Sequence, residues 1–165
     1  PAVGKTSIGK MLAKSMRLSF VDLDKYIVSK VDQSIESIFK EQGEDHFREL
    51  EHQSLLEVLD QKPDILSVGG GAPCFFNNMD FLNQHFTTFY LKAELSFLSE
   101  NLKRSKSKRP KLANKTDKEL EHYLLELLKE RKIYFEKAHL SIPVYGQPYQ
   151  KIAKQIADRI DLEAS

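Results

Sequence analysis

Gly4-Lys5-Thr6-Ser7-Ile8-Gly9-Lys10 runs directly into an apolar stripe of helical spacing: Ile8, Met11, Leu12 and Met16. That stripe predicts a helix over 6–17. Gly4-Lys5-Thr6 is the second half of the pattern G-x-x-x-x-G-K-[ST]. In that pattern backbone N–H groups and a helix N-terminus hold phosphate oxygens, the lysine reaches the outer phosphates, and the hydroxyl meets Mg²⁺. Alone, the fragment also fits a glycine turn capping a helix. The pattern's first glycine falls two residues ahead of Pro1, and so does the strand that should feed the loop. The chain is therefore expected to extend upstream by about ten residues or more.

Downstream, short apolar runs alternate with longer helical stretches, the α/β rhythm. Ser19–Asp22 reads as a strand ending in acid. Ile35, Ile38 and Phe39 mark a helix that Gly43 interrupts, and 44–61 continues as a second helical segment. Ile65–Val68 is a buried-type strand running into Gly69-Gly70-Gly71. Thr87–Leu91 is a further strand, 95–102 a helix, and 103–111 a polar, basic loop. Thr116 with Glu119 three residues on is a capping-box start for a helix reaching toward Ala138. Ile142-Pro143-Val144 suits an edge strand, because proline cannot donate to a ladder. Ile152, Ile156 and Ile160 stripe a last helix that opens near Pro148.

The 165 residues hold 41% apolar side chains, enough for one core, with no repeat and no linker. The charge balance of 25 Lys+Arg against 24 Asp+Glu argues against a basic coat for nucleic acid or membranes. A single cysteine, Cys74, excludes an internal disulfide framework and a four-thiolate zinc site. No apolar run approaches the roughly 20 residues of a membrane span. No signal peptide opens the sequence. The expectation is a cytoplasmic, reduced protein.

Beside Gly4-Lys5-Thr6, five features bear chemistry. Asp22 and Asp24 would share one face of an extended segment at a strand's carboxyl end, where ligands bind in open parallel sheets; the plain alternative has Asp24 as a helix N-cap. Arg48 and Glu51 form either a surface i, i+3 pair or a pair in which Glu51 aims Arg48 at an anion. Gly69-Gly70-Gly71 after a buried strand allows close backbone approach to a ligand, where a flexible turn would need fewer glycines. The loop holding Lys103, Arg104, Lys106, Lys108, Arg109 and Lys111 is a solvated charge run, a nucleic-acid patch without interleaved aromatics, or a lid over triphosphate. Arg131 stands on the inward stripe Leu120, Leu124, Leu127, Tyr134, Ala138 and needs a counter-ion, from a ligand carboxylate or from an acid such as Glu51. The five histidines lack metal-ligand spacing and read as structural or surface residues. No role is expected of Cys74.

The order of these features resembles the shikimate kinases, small P-loop kinases of the nucleoside-monophosphate-kinase type, over nearly the whole chain. The matching stretches are G-K-T-S-I-G-K at 4–10, F-V-D-L-D at 20–24, I-F-x-x-x-G-E-x-x-F-R-x-x-E from Ile38 to Glu51, G-G-G-A at 69–72, R-P-x-L at 109–112 and R-x-x-Y-x-x-x-A from Arg131 to Ala138. The resemblance implies a three-layer α/β/α fold around a five-stranded parallel sheet of order 2-3-1-4-5, its first strand lying before Pro1. It implies one domain over 1–165, with a substrate-binding helical region at about 32–61 and a lid at about 103–116.

The activity implied is transfer of the γ-phosphate of ATP to the 3-hydroxyl of shikimate. Lys5 and the backbone at Gly4, with Thr6 and Ser7, would hold ATP phosphates, and Arg104 and Pro148 would flank the adenine. Thr6 would bind Mg²⁺, with Asp22 nearby. Asp24 would act as base or orienting group for the attacking hydroxyl. Arg48 and Arg131 would clamp the shikimate carboxylate, and Gly69, Gly70 and Gly71 would meet the substrate through backbone. Arg109 would come from the lid to the transferring phosphoryl group. The expected partner is the small-molecule substrate alone, without nucleic acid or membrane, in a monomer. Two departures stand out: Ala2 where a second loop glycine is usual, and Lys111 in place of a leucine. A gluconate-type kinase and a non-catalytic module of the same fold are the competing readings.

Overall fold

Two short runs of β-branched and aliphatic residues pair first. In this computed structural model, which describes residues 3–104 and 115–163, β1 (Phe20–Asp22) lies parallel to β2 (Ile65–Ser67), with Phe20 opposite Ile65 and Asp22 opposite Ser67. A second parallel pair joins β3 (Phe89–Ala93) to β4 (Leu140–Val144), from Phe89 opposite Leu140 to Ala93 opposite Val144. Parallel pairing demands crossovers, and helices supply them. Among the described residues these are α1 (Lys5–Met16), α2 (Leu23–Val31), α3 (Ile35–Glu41), α4 (Gly43–Asp60), α5 (Asn78–His85), α6 (Leu95–Arg104), α7 (Asp117–Phe135) and α8 (Tyr149–Glu163). A 3₁₀ turn, Ala72–Cys74, follows the glycine triplet.

The chain is thus α/β, but the expected five-stranded sheet is present as two separate two-stranded parallel units. Between them lies a cavity of about 270 Å³ with an apolar lining that includes Val3, Ile65, Leu66, Val68, Phe89 and Leu91. The core divides in the same way. One cluster gathers α1, α6, α7, β4 and α8 around Ile8, Leu102, Leu120, Leu124 and Ile152. The other gathers α2, α3, α4 and α5 around Leu23, Ile27, Ile38 and Leu55.

Two boundaries differ from expectation. The strand stops at Asp22, and Asp24 sits in the first turn of α2, so Asp22 and Asp24 do not share a face of an extended segment. The N-cap is Asp22, not Asp24: its Oδ1 accepts from the Lys25 amide at 3.2 Å. Leu23 and Ile27, one helical turn apart and both fully buried, make burial decide for helix. The α5 helix falls where the sequence pattern marks no element, with Met79 and Leu82 buried at i, i+3 spacing.

The expected capping box at Thr116 is complete. The Glu119 amide donates to Thr116 Oγ1 at 3.3 Å, and the Thr116 amide donates to Glu119 Oε2 at 2.6 Å. Thr116→Ala should therefore cost about 1 kcal/mol and lower Tm by about 2–4 °C. An unchanged melting curve would show that the box adds nothing. Arg109 and Pro110, expected in the lid, lie outside the described residues, as do Pro1 and Ala2.

Candidate active site

The N-terminus of α1 is prepared for an anion by what it lacks. Its N-cap, Gly4, offers no side-chain cap, and no acid stands in the first turn, so the leading N–H groups keep their positive end of the dipole. Gly4 holds φ +91°, a conformation other residues rarely adopt, and a Cβ there would fall 2.5–2.7 Å from the Tyr149 ring. Tyr149 therefore rests against the loop, a contact that sequence reading missed; its position directly after Pro148 was the available signal. Thr6 Oγ1 donates to Asp22 Oδ2 at 2.5 Å. A hydroxyl and a carboxylate held together beside free helix amides form an oxygen-donor set suited to Mg²⁺ bound jointly with phosphate. The expected placement of Thr6 and Asp22 as neighbours is met.

The opposite side of the site is built by α4. Arg48 and Glu51 are buried, only 7% and 1% exposed, and not the surface pair that spacing alone allows. Arg48 Nη1 donates to Glu51 Oε2 at 2.7 Å, while Nη2 and Nε donate to Glu44 Oε1 at 2.9 and 3.3 Å. Three of a guanidinium's five N–H donors are used among the described residues, which leaves two for a ligand. Phe75, Phe47 and Phe39 surround the cation, with centroids 4.6, 5.2 and 5.8 Å from Cζ. Burial works against the Arg48 cation, but Glu51 and Glu44 outweigh it and hold the group above its ordinary value. Burial pushes the Glu51 carboxyl up; Arg48 pulls it back, and the nearby Asp24 charge adds to the rise.

The glycine triplet closes this arrangement, for a reason other than chain flexibility. Neither Gly69 nor Gly71 needs a positive φ. A Cβ on Gly69 would lie 3.1 Å from both Asp24 Oδ1 and Glu51 Oε1, and one on Gly71 would lie 2.6 Å from the Arg48 nitrogens. Gly69 and Gly71 are glycine because Asp24, Glu51 and Arg48 occupy the space where a side chain would go.

Arg131, on α7, is half-buried and makes no ion pair within 4 Å among the described residues. Its charge nevertheless reaches this site, since it draws down both the Glu51 carboxyl and the Cys74 thiol. Burial raises the Cys74 thiol, and the Arg131 and Arg48 charges pull it back only in part. Arg104 is exposed in the last turn of α6, and Pro148 is exposed ahead of α8. No hydrogen bond or ion pair among the described residues ties either to Gly4–Thr6. Ser7 lies in the first turn of α1 as expected, and Lys5 opens that turn one residue ahead of the expected start.

The sequence profile of the shikimate kinase family matches residues 1–161. A shikimate kinase of Parabacteroides distasonis is 43% identical over 138 residues, 84% of this chain and 80% of its own. One from Bacteroides fragilis is 36% identical over 162 residues, 98% of this chain and 86% of its own. Among solved structures, a shikimate kinase of Bacteroides thetaiotaomicron superposes with a TM-score of 0.90 at 32% identity, covering 97% of this chain and 93% of that one. A shikimate kinase of Acinetobacter baumannii, solved in complex with shikimate, gives 0.88 at 30% identity, covering 98% of this chain and 89% of that one.

Proposed function

The chain belongs to the shikimate kinase family, and from that premise we propose that it transfers the γ-phosphoryl group of ATP to the 3-hydroxyl of shikimate at the site formed by Asp24, Arg48, Glu51 and Gly69–Gly71. It is an ATP-dependent phosphotransferase that works with ATP and Mg²⁺. The observation that supports the site assignment is the crowding of Asp24, from α2, and of Glu51 and Arg48, from α4, against Gly69 and Gly71, so that the proposed base and the proposed carboxylate receptor face one short loop.

Phosphoryl transfer asks the protein for positioning and charge stabilisation more than for covalent chemistry. The bound nucleotide and its Mg²⁺ supply the phosphoryl group and neutralise its charge. Gly4, Lys5, Thr6 and Ser7 hold the phosphates, with Asp22 beside Thr6. Arg48 and Arg131 take the substrate carboxylate, and the Gly69–Gly71 backbone positions the ring. Asp24 orients the hydroxyl or takes its proton. Arg109 stabilises the transferring group, and Arg104 and Pro148 flank the adenine. The region 32–61 serves the substrate and 103–116 forms the lid of a single domain.

We also propose that a fifth parallel strand fills the seam between β2 and β3, giving the order 2-3-1-4-5 when that strand is counted as the first and β1 to β4 as the second to fifth; the apolar lining of that cavity, including Val3 directly ahead of α1, supports it. The enzyme acts as a cytoplasmic monomer on a small molecule alone, without nucleic acid or membrane. The near-neutral charge supports the absence of a basic coat for nucleic acid, and among the described residues no helix is long and apolar enough to cross a membrane. A coupled ADP-release assay comparing shikimate with gluconate decides the substrate. Turnover with shikimate only is expected; turnover with gluconate alone, or with neither, overturns the assignment.

A further inference from the structure

The loop after the glycine triplet is bent into an unfavourable shape. Phe76 and Asn77 take φ of 50° and 58° in succession, a region that a bulky side chain such as Phe rarely enters. Strain of this kind persists only where surrounding contacts impose it. Here those contacts come from α4 and from Asn78. Asn78 is fully buried, and its Nδ2 donates to the Ala72 carbonyl at 2.8 Å. That leaves Oδ1 facing the His52 ring, whose Nδ1 lies 2.6 Å away and so donates. The same ring stacks on Phe76 at 5.0 Å and meets Phe81 at 6.0 Å. His52 directly follows Glu51 and lies one turn beyond Arg48. One face of α4 therefore grips the loop at two points: Arg48 against Gly71, and His52, through Asn78, against Ala72.

We propose that His52 and Asn78 are positioning residues for the phosphotransfer reaction: together they hold the glycine loop at a fixed height above Arg48 and Glu51, and so set the affinity for the acceptor substrate but not for the nucleotide. The inference rests on the reading that this loop meets shikimate. His52 and Asn78 touch none of the groups assigned to ATP, so a selective effect on one substrate is required.

The test compares two replacements at an incompletely buried position. His52→Phe keeps a ring for Phe76 but removes the donor to Asn78. His52→Asn places an amide N–H where Nδ1 stood. Steady-state kinetics should show KM for shikimate raised about tenfold in His52→Phe, the scale of one lost hydrogen bond, with KM for ATP within about twofold. His52→Asn should restore KM for shikimate to within about twofold of the parent. Hydrogen exchange without substrate gives a second readout. The amides of Ala72 and Cys74, which donate to the Gly69 and Gly71 carbonyls, should exchange about tenfold faster in His52→Phe and not in His52→Asn. Unchanged exchange, both KM values rising together, or His52→Asn behaving like His52→Phe would each overturn the proposal. A parent enzyme without shikimate turnover, but with the expected exchange pattern, would overturn only the substrate assignment.

Discussion

Asp24→Asn is expected to lower kcat with shikimate by about 10²- to 10⁴-fold, the span of general-base contributions, while KM for ATP stays within about twofold. The amide keeps the size and one accepting oxygen of the carboxylate, so the substrate hydroxyl can still be oriented. It cannot take the proton. Asp24 stands in the first turn of α2, with the Gly69 backbone against its carboxylate and Glu51 across the same point. The substitution should not unfold the enzyme. Asp24 adds to the rise of the Glu51 carboxyl, which burial drives first, so removing one of two neighbouring acids relieves repulsion. Tm is expected to hold or rise slightly, and Glu51 to ionise more readily. Single-turnover measurements with saturating ATP separate chemistry from product release. Turnover retained at the parental rate would remove Asp24 from the proton path and leave it a substrate-binding group at most.

Much of the scaffold was legible in the residue pattern, because local signals and burial agreed there. The helix opened by Gly4-Lys5-Thr6 begins within one residue of its expected start, since its stripe of Ile8 and Leu12 is also the buried face. Thr116 and Glu119 announce a helix start whose bonds are made within one turn, and such features need no tertiary context. The errors came where a short-range signal had two outcomes. Phe20-Val21-Asp22-Leu23-Asp24 alternates like a strand, yet Leu23 and Ile27 are one turn apart and pull the chain into helix as soon as Asp22 can cap it. Arg48 and Glu51 show the opposite limit. Their spacing announces a pair, but whether that pair faces water depends on Phe39, Phe75 and Gly71, which are distant in sequence or on another element. His52 reads in the sequence as a structural or surface residue, and its contact with Asn78 was not legible there because Asn78 lies in a helix that the sequence pattern did not reveal.

Gly71→Ala is the substitution expected to damage substrate binding most for the fewest atoms added. The new methyl would lie 2.6 Å from Arg48 Nη1 and Nη2 and 2.7 Å from Cζ, so something must move. A guanidinium is usually the mobile end of a flexible side chain, but this one is bonded to Glu51 and Glu44 and surrounded by three phenylalanine rings. Swinging it away would leave Glu51 buried without its partner, and breaking such a pair costs about 3–5 kcal/mol. The loop would move instead, carrying Gly69 off Asp24, or both would shift in part. Either way KM for shikimate should rise by about 10²-fold or more, since a displacement on the ångström scale at a positioning group costs that much, while KM for ATP holds. Gly43→Ala separates crowding from backbone strain. Gly43 has φ +86° with nothing within 4 Å of the added Cβ, so it should lose about 1–2 kcal/mol of stability without a change in KM for shikimate. Parental KM for shikimate in Gly71→Ala would mean that the Arg48 guanidinium is not the fixed receptor for the substrate carboxylate. Arg131 would then have to hold that carboxylate alone, and the Arg48–Glu51 pair would be left as a structural tie between α4 and the glycine loop.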